Sequence, residues 1–127
     1  MPDLSLTSEQ GLLRRAAREF VERECPLAAV RAIDDEQGGF SRELWEKMAG
    51  LGWPGMLIPP EHGGAGATLT DAAVLYEELG RGLLPGPHLS SCVIGALLLL
   101  RAGSEEQRQR LLPGIARGEQ IVALALT

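Results

Sequence analysis

Apolar and polar positions alternate along this chain mostly with the period of a helix. Leu13, Ala16, Ala17, Phe20 and Val21 make one apolar stripe, while Arg14, Arg15, Arg18, Glu19, Glu22 and Arg23 cover the rest of the cylinder. The spacing predicts a first helix opening at Thr7-Ser8-Glu9-Gln10, where a hydroxyl N-cap and a glutamine three residues on have the capping-box arrangement. Cys25-Pro26 ends it, because the residue before a proline avoids helical dihedrals. Helical character resumes over residues 27–33 and fades in the turn at residues 34–39. A second strong helix starts at Ser41, carries Leu44, Trp45, Met48 and Leu51 inward, and stops at Gly50 and Gly52.

Residues 53–66 are too rich in proline and glycine for a helix or a regular strand. The next helix begins at Thr70 or Asp71, with Ala72, Leu75, Tyr76 and Leu79 on the inner face, Glu77 and Glu78 toward water, and Gly80 as its stop. Pro85-Gly86-Pro87 then bends the chain into a helix from about His88 to Ala102. Leu89, Cys92, Val93, Ile94, Ala96 and residues 97–100 make it apolar on nearly every face, so it belongs at the centre of a bundle. Ser104-Glu105-Glu106-Gln107 is another capping box; the helix it opens carries Leu111 and Leu112, breaks at Pro113, and gives way to a turn through Ile115 that closes at Gly118.

The last feature differs in kind. Residues 121–126, Ile-Val-Ala-Leu-Ala-Leu, read as a strand, and a lone strand leaves its backbone groups without a ladder. Nothing earlier reads as a partner. The expectation is therefore an all-α bundle of about five to six helices with one Gly/Pro-rich loop and a short orphan strand. Residues 1–120 would form the helical domain, and residues 121–127 the first strand of a sheet domain that this chain does not supply.

Composition narrows the function classes. With 45% hydrophobic residues but only 4% aromatic, the core must be built from Leu, Ala, Ile and Val. The net charge of −5 and the lack of a Lys/Arg cluster argue against nucleic acid. Cys25 and Cys92 fit no metal or redox spacing, and free thiols suit a reducing cytoplasm. The N-terminus lacks a basic segment followed by an apolar core, and the greasiest stretch, residues 92–100, is far short of the roughly 20 residues that cross a bilayer. A cytoplasmic, membrane-free protein is the expectation.

Four features are candidates for chemistry. The loop Pro60-Glu61-His62-Gly63-Gly64-Ala65-Gly66 could bring backbone amides to a phosphate, yet it lacks the Lys-Ser/Thr of a P-loop and reads better as a structural turn. Glu61 beside His62 has the residue types of an acid–base pair, but neighbours in such a loop seldom face one another, and His88 reads as a polar cap. Ser90 and Ser91 have two readings: hydroxyls bonding back to the preceding turn, or small residues leaving room for a ligand tail beside Ile94 and Leu98. The end of the strand-like run, Leu124 to Thr127, is either plain strand or the edge of a ligand site.

The order of segments resembles the N-terminal helical domain of the acyl-CoA dehydrogenase family. Leu44-Trp45-Glu46-Lys47-Met48-Ala49-Gly50-Leu51-Gly52-Trp53 is similar to the family's second helix and its exit. Pro59-Pro60-Glu61-His62-Gly63-Gly64-Ala65-Gly66 is similar to its Pro-Glu-x-Gly-Gly-x-Gly loop, and Tyr76-Glu77-Glu78-Leu79-Gly80-Arg81 to its third helix. Ala102-Gly103-Ser104-Glu105-Glu106-Gln107, with Leu112-Pro113 and Gly118-Glu119, resembles the run leading into the family's central β-domain.

The resemblance implies an FAD flavoprotein that desaturates an acyl-CoA thioester, in fatty acid metabolism, and passes electrons to an electron-transfer flavoprotein. It also implies a homo- or hetero-oligomer built with the protein's own β- and C-terminal domains. The family's base is a carboxylate in the C-terminal domain, so no catalytic residue is assigned here. Carried over residue by residue, Leu124, Leu126 and Thr127 fall on the strand that begins the flavin-contacting segment, and Ser90, Ser91 and Ile94 on the helix lining the acyl tunnel. A same-fold flavin monooxygenase or acyl-CoA oxidase, or a non-catalytic helical interaction module, are the alternatives.

Overall fold

A computed structural model of the chain describes residues 5–126 and contains, among them, six α-helices and no β-strand. The all-α expectation holds. The helices fall into two compact units: residues up to Gly39 with Leu69–Pro85, and Phe40–Thr68 with Gly86 onward.

In the first unit α1 (Ser8–Glu24) lies along α4 (Leu69–Arg81). The capping box forms as the sequence predicts: Thr7 Oγ1 accepts from the Gln10 N–H and the Gln10 side chain accepts from the Thr7 N–H, each at 3.1 Å. Ala17, Phe20 and Val21 bury against the unit, whereas Ala16 stays exposed. Gly82 lets the chain pass close to Val21, whose Cγ1 occupies the place a Cβ would need. α2 (Leu27–Gln37) follows Pro26, buries Ile33, and ends on Gly38 at φ 65°, with Gly39 N–H returning to Ile33 O at 3.0 Å.

Polar residues four apart on α1 bind α4. Gln10 Nε2 donates to Asp71 Oδ1 at 2.9 Å, Arg14 pairs with Glu77 at 3.1 Å, and Arg18 grips Glu78 with two bonds of 3.1 and 2.8 Å. This corrects the expectation that Glu78 faces water: it is only 2% exposed. Its position also belongs to the inner stripe of α4 with Val74, Leu75 and Leu79, and burial became tolerable because a guanidinium from α1 meets it. Arg81 adds a looser contact at 3.6 Å. α4 runs one residue past Gly80 to Arg81, and the chain then turns through Leu83 at φ 52°.

In the second unit α3 (Arg42–Gly50) is capped by Ser41, whose Oγ accepts from Leu44 N–H at 3.2 Å, and buries Leu44, Trp45 and Met48. Leu51, expected inside, is half exposed because the helix ends one residue before it. Two 3₁₀ turns follow, Trp53–Gly55 and Pro60–His62, and every residue from 53 to 58 is buried. α6 (Glu105–Ala116) begins at the Ser104/Gln107 capping box and continues through Pro113, which the sequence had marked as a break. The carbonyl that Pro113 cannot serve belongs to Gln109, an exposed residue where water can take it. Trp45 Nε1–H donates to Gly118 O at 2.8 Å, and Gly55 sits against Ala116, so α3, the first 3₁₀ turn and the end of α6 share one core.

The helix expected from His88 to Ala102 is two pieces. His88–Gly95 is π-helical, and only Ala96–Ala102 is α (α5). Nor is it covered on every face, as a helix at the centre of a bundle would be. His88, Ser91, Cys92, Gly95 and Ala96 point inward, while Leu89, Ile94 and Leu98 are exposed.

The Arg18 guanidinium holds the Glu78 carboxyl below the usual carboxylate range, chiefly through its hydrogen bonds. Ionised Glu78 therefore stabilises the fold above the ordinary carboxylate range, and that contribution disappears as acid titrates the folded state. Glu78→Gln should lower stability at neutral pH by about 1–2 kcal/mol, measured by urea unfolding, and the gap to the parent should close below about pH 4.

Candidate functional site

The π-helical segment and the C-terminal run meet in the second unit. Ser90 Oγ donates to Pro87 O at 3.1 Å, the backward bond to the preceding turn that the sequence allows for a helical serine. Ser91 does something else: it is fully buried, and its Oγ accepts the N–H of Val122 at 3.1 Å. Ser91 therefore offers no surface to a ligand in this chain, while Ser90 is half-buried and Ile94 is exposed beside it. Residues 121–126 form neither helix nor ladder among the described residues. Leu124 and Leu126 present their side chains outward, Leu126 at 86% exposure, and Thr127 lies outside the described residues.

Gly95, Leu98 and Leu99, Leu111 of α6, and Val122, Ala123 and Leu124 enclose an apolar cleft of about 170 Å³ that opens to one side. The π-helical segment ahead of the cleft is anchored at its first residue. His88 is buried and its Nε2 lies 2.9 Å from Trp53 O; a carbonyl only accepts, so Nε2 carries the proton. The Trp45 ring stands edge-on to the imidazole at 6.4 Å. This corrects the reading of His88 as a polar cap: it is an internal strut, and its partner lies 35 residues away. Cys92, one turn on, is buried and burial pushes its thiol up to about 12, so it is an inert core residue and no nucleophile.

The glycine-rich loop is a structural turn. Its amides are engaged one after another: Gly63 N–H with Pro60 O, Gly64 with Pro59 O, Ala65 with Gly55 O, Gly66 with Ile58 O and Ala67 with Met56 O, all at 2.9–3.1 Å. No amide of the series is left to cradle a phosphate. A Cβ at Gly64 would run into the carbonyl of Ile58, which explains the residue without any ligand.

Residues 7–119 match the model of the acyl-CoA dehydrogenase N-terminal domain. The chain belongs to the acyl-CoA dehydrogenase family. It is 37% identical over 130 aligned positions to the short-chain specific acyl-CoA dehydrogenase of Clostridium acetobutylicum, covering 98% of this chain and 33% of that protein. It superposes on a chain of the ChsE4-ChsE5 complex from Mycobacterium tuberculosis with TM-score 0.87 and 28% identity, covering 96% of this chain and 34% of that one. The FAD complex of an acyl-CoA dehydrogenase from Bacillus anthracis gives TM-score 0.79 and 27% identity, over 95% of this chain and 21% of that one. The chain thus spans about a third of the length of curated relatives it matches.

A flavin finds a partial fit among the family domain's described residues. Exposed Leu124 and Leu126 suit the flat apolar face of a ring, but the glycine-rich loop has its amides occupied and does not cradle the cofactor's phosphates. Sequence reasoning missed the joining of Ser91 to Val122 and the burial of His88. Both partners are remote in the chain, and no local spacing announces them.

Burial holds the His88 imidazole below its ordinary pKa of 6.5, with the Trp53 carbonyl opposing the shift only in part. A depressed histidine favours the fold while neutral, so stability should fall as pH drops from about 6.5 toward the lowered folded value. His88→Gln keeps a donor for Trp53 O. Its unfolding free energy should be flatter across that interval than the parent's when measured by denaturant titration at stepped pH.

Proposed function

We propose that this chain is the N-terminal helical part of an FAD-dependent acyl-CoA dehydrogenase, which removes the α-proton and β-hydride of an acyl-CoA thioester to give the 2,3-enoyl product. Residues 121–127 are then the first strand of a following sheet domain, whose edge carries Leu124, Leu126 and Thr127 against the flavin. Ser90 and Ile94 form part of the acyl-tunnel wall, with Ser91 behind them. FAD, when bound, would supply the hydride acceptor; electrons would pass on to an electron-transfer flavoprotein.

The observation that carries the reading is the outward apolar face of the π-helical segment and α5. Large aliphatic side chains, Leu89, Ile94 and Leu98, face outward next to an unladdered run whose own leucines face outward too. Exposed apolar side chains in this number ask to be covered, and in a family of acyl-CoA enzymes an acyl chain and further domains are the natural cover. The catalytic base belongs elsewhere in the whole protein. Glu78, a buried acid of this chain, is ion-paired with Arg18 and held ionised, so it cannot be tuned to accept a proton near neutral pH. An oligomer, homomeric or with a second subunit, and a role in fatty acid metabolism in the cytoplasm complete the proposal.

The test compares the 127-residue chain with the full polypeptide of which it is proposed to be a part. FAD is titrated into each and followed by flavin fluorescence. The full polypeptide should bind tightly and reduce its flavin on mixing with an acyl-CoA, while the short chain binds weakly. Absence of binding by both would refute the flavoenzyme reading.

A further inference from the structure

We infer that Ser91 and Gly95 are positioning residues: together they fix the register at which residues 122–126 leave the helical core. A buried serine in a helix ordinarily bonds back to the turn before it, as Ser90 does onto Pro87 O at 3.1 Å. Ser91 departs from that habit and accepts the backbone N–H of Val122, 31 residues away, at 3.1 Å. Four residues further along the same inward face, Gly95 leaves the space that Val122 Cγ2 fills; a Cβ there would meet that methyl and would also lie 3.3 Å from Ser90 O. Val122 is thus held at its amide by one residue and at its side chain by the other.

What the seat decides is parity. Counting in twos along the run, Val122, Leu124 and Leu126 share one set, while Ile121, Ala123 and Ala125 share the other. In a strand-like segment a slip of one residue exchanges the two sets completely. The leucines that share the parity of Val122 would exchange places with the alanines, and the open apolar cleft beside Leu98, Leu99 and Leu111 offers no polar side chain to resist such a slip. The lock lies on the segment that also carries Ser90 and Ile94. It therefore ties the placement of the two leucines to the wall beside them. This consequence rests on the flavoenzyme reading; the register itself does not.

Two conservative changes probe the seat from opposite sides. Ser91→Ala removes the acceptor and one buried oxygen, and Gly95→Ala pushes against Val122; exposed Gln109→Ala is the control. Amide exchange at Val122 is followed by NMR in the 127-residue chain, and flavin absorption, kcat and KM are followed in the flavin-loaded full polypeptide. Exchange at Val122 should quicken about ten-fold in Ser91→Ala, the loss of one hydrogen bond. The flavin band should change shape, with kcat down about ten-fold and KM for the acyl-CoA little moved, as misplacement at the reacting centre requires. Unchanged exchange in both variants would overturn the lock. Faster exchange with flavin spectrum and kcat unaltered would overturn the positioning role. A parent that carries no flavin would refute the enzyme reading alone, since the exchange measurement still decides the register.

Discussion

Val122 stands where the helical core gives way to a run that enters neither helix nor ladder among the described residues. Up to that point α6 is closed in an orderly way: the N–H groups of Glu119 and Gln120 both return to Gly114 O, at 3.0 and 3.1 Å. Val122 then gives its N–H to Ser91, and the next residues enter no helix or ladder. Helices satisfy their own backbone, whereas a strand depends on neighbours. The bond between Ser91 and Val122 is the point at which the helical core hands the chain over, and the placement of Leu124 and Leu126 follows from it.

Among the described residues each unit also buries one titratable side chain besides a cysteine, and the two solutions differ as the chemistry requires. Glu78 is kept charged by a forked guanidinium, because an ionised carboxylate inside a protein needs a counter-ion and several donors. His88 is kept neutral, with a backbone carbonyl taking its one Nε2 proton and aromatic surface around it. The first arrangement fastens α1 to α4. The second fastens the start of the π-helical segment to the Trp53 turn, and neither leaves a group poised for acid–base catalysis.

Local chemistry was legible in the sequence; long-range pairing was not. Both capping boxes formed because a hydroxyl and a glutamine three residues apart need only each other. The inward faces of α1 and α3 followed from spacing, apart from Ala16 and Leu51 at the margins. Glu78 was misplaced because spacing put it beside the inner stripe while its charge argued for water, and the decider, Arg18, lies 60 residues upstream. The helix at 88–102 was read from hydropathy alone, which cannot distinguish π from α pitch or foresee that the small residues would turn in and the large ones out. A missing donor usually ends a helix, which is why the sequence points to a break at Pro113; the orphaned carbonyl lies at an exposed residue, and the helix continues.

The outward leucines of the terminal run need a cover, and the flavin and a following sheet are the proposed one. Determining the structure of the intact flavin-loaded polypeptide tests this most directly. It should show residues 121–127 laddered in a sheet, with Leu124 and Leu126 within about 4.5 Å of the flavin ring and Val122 still on Ser91. A structure in which the run stays unpaired, or in which the flavin lies away from both leucines, would contradict it.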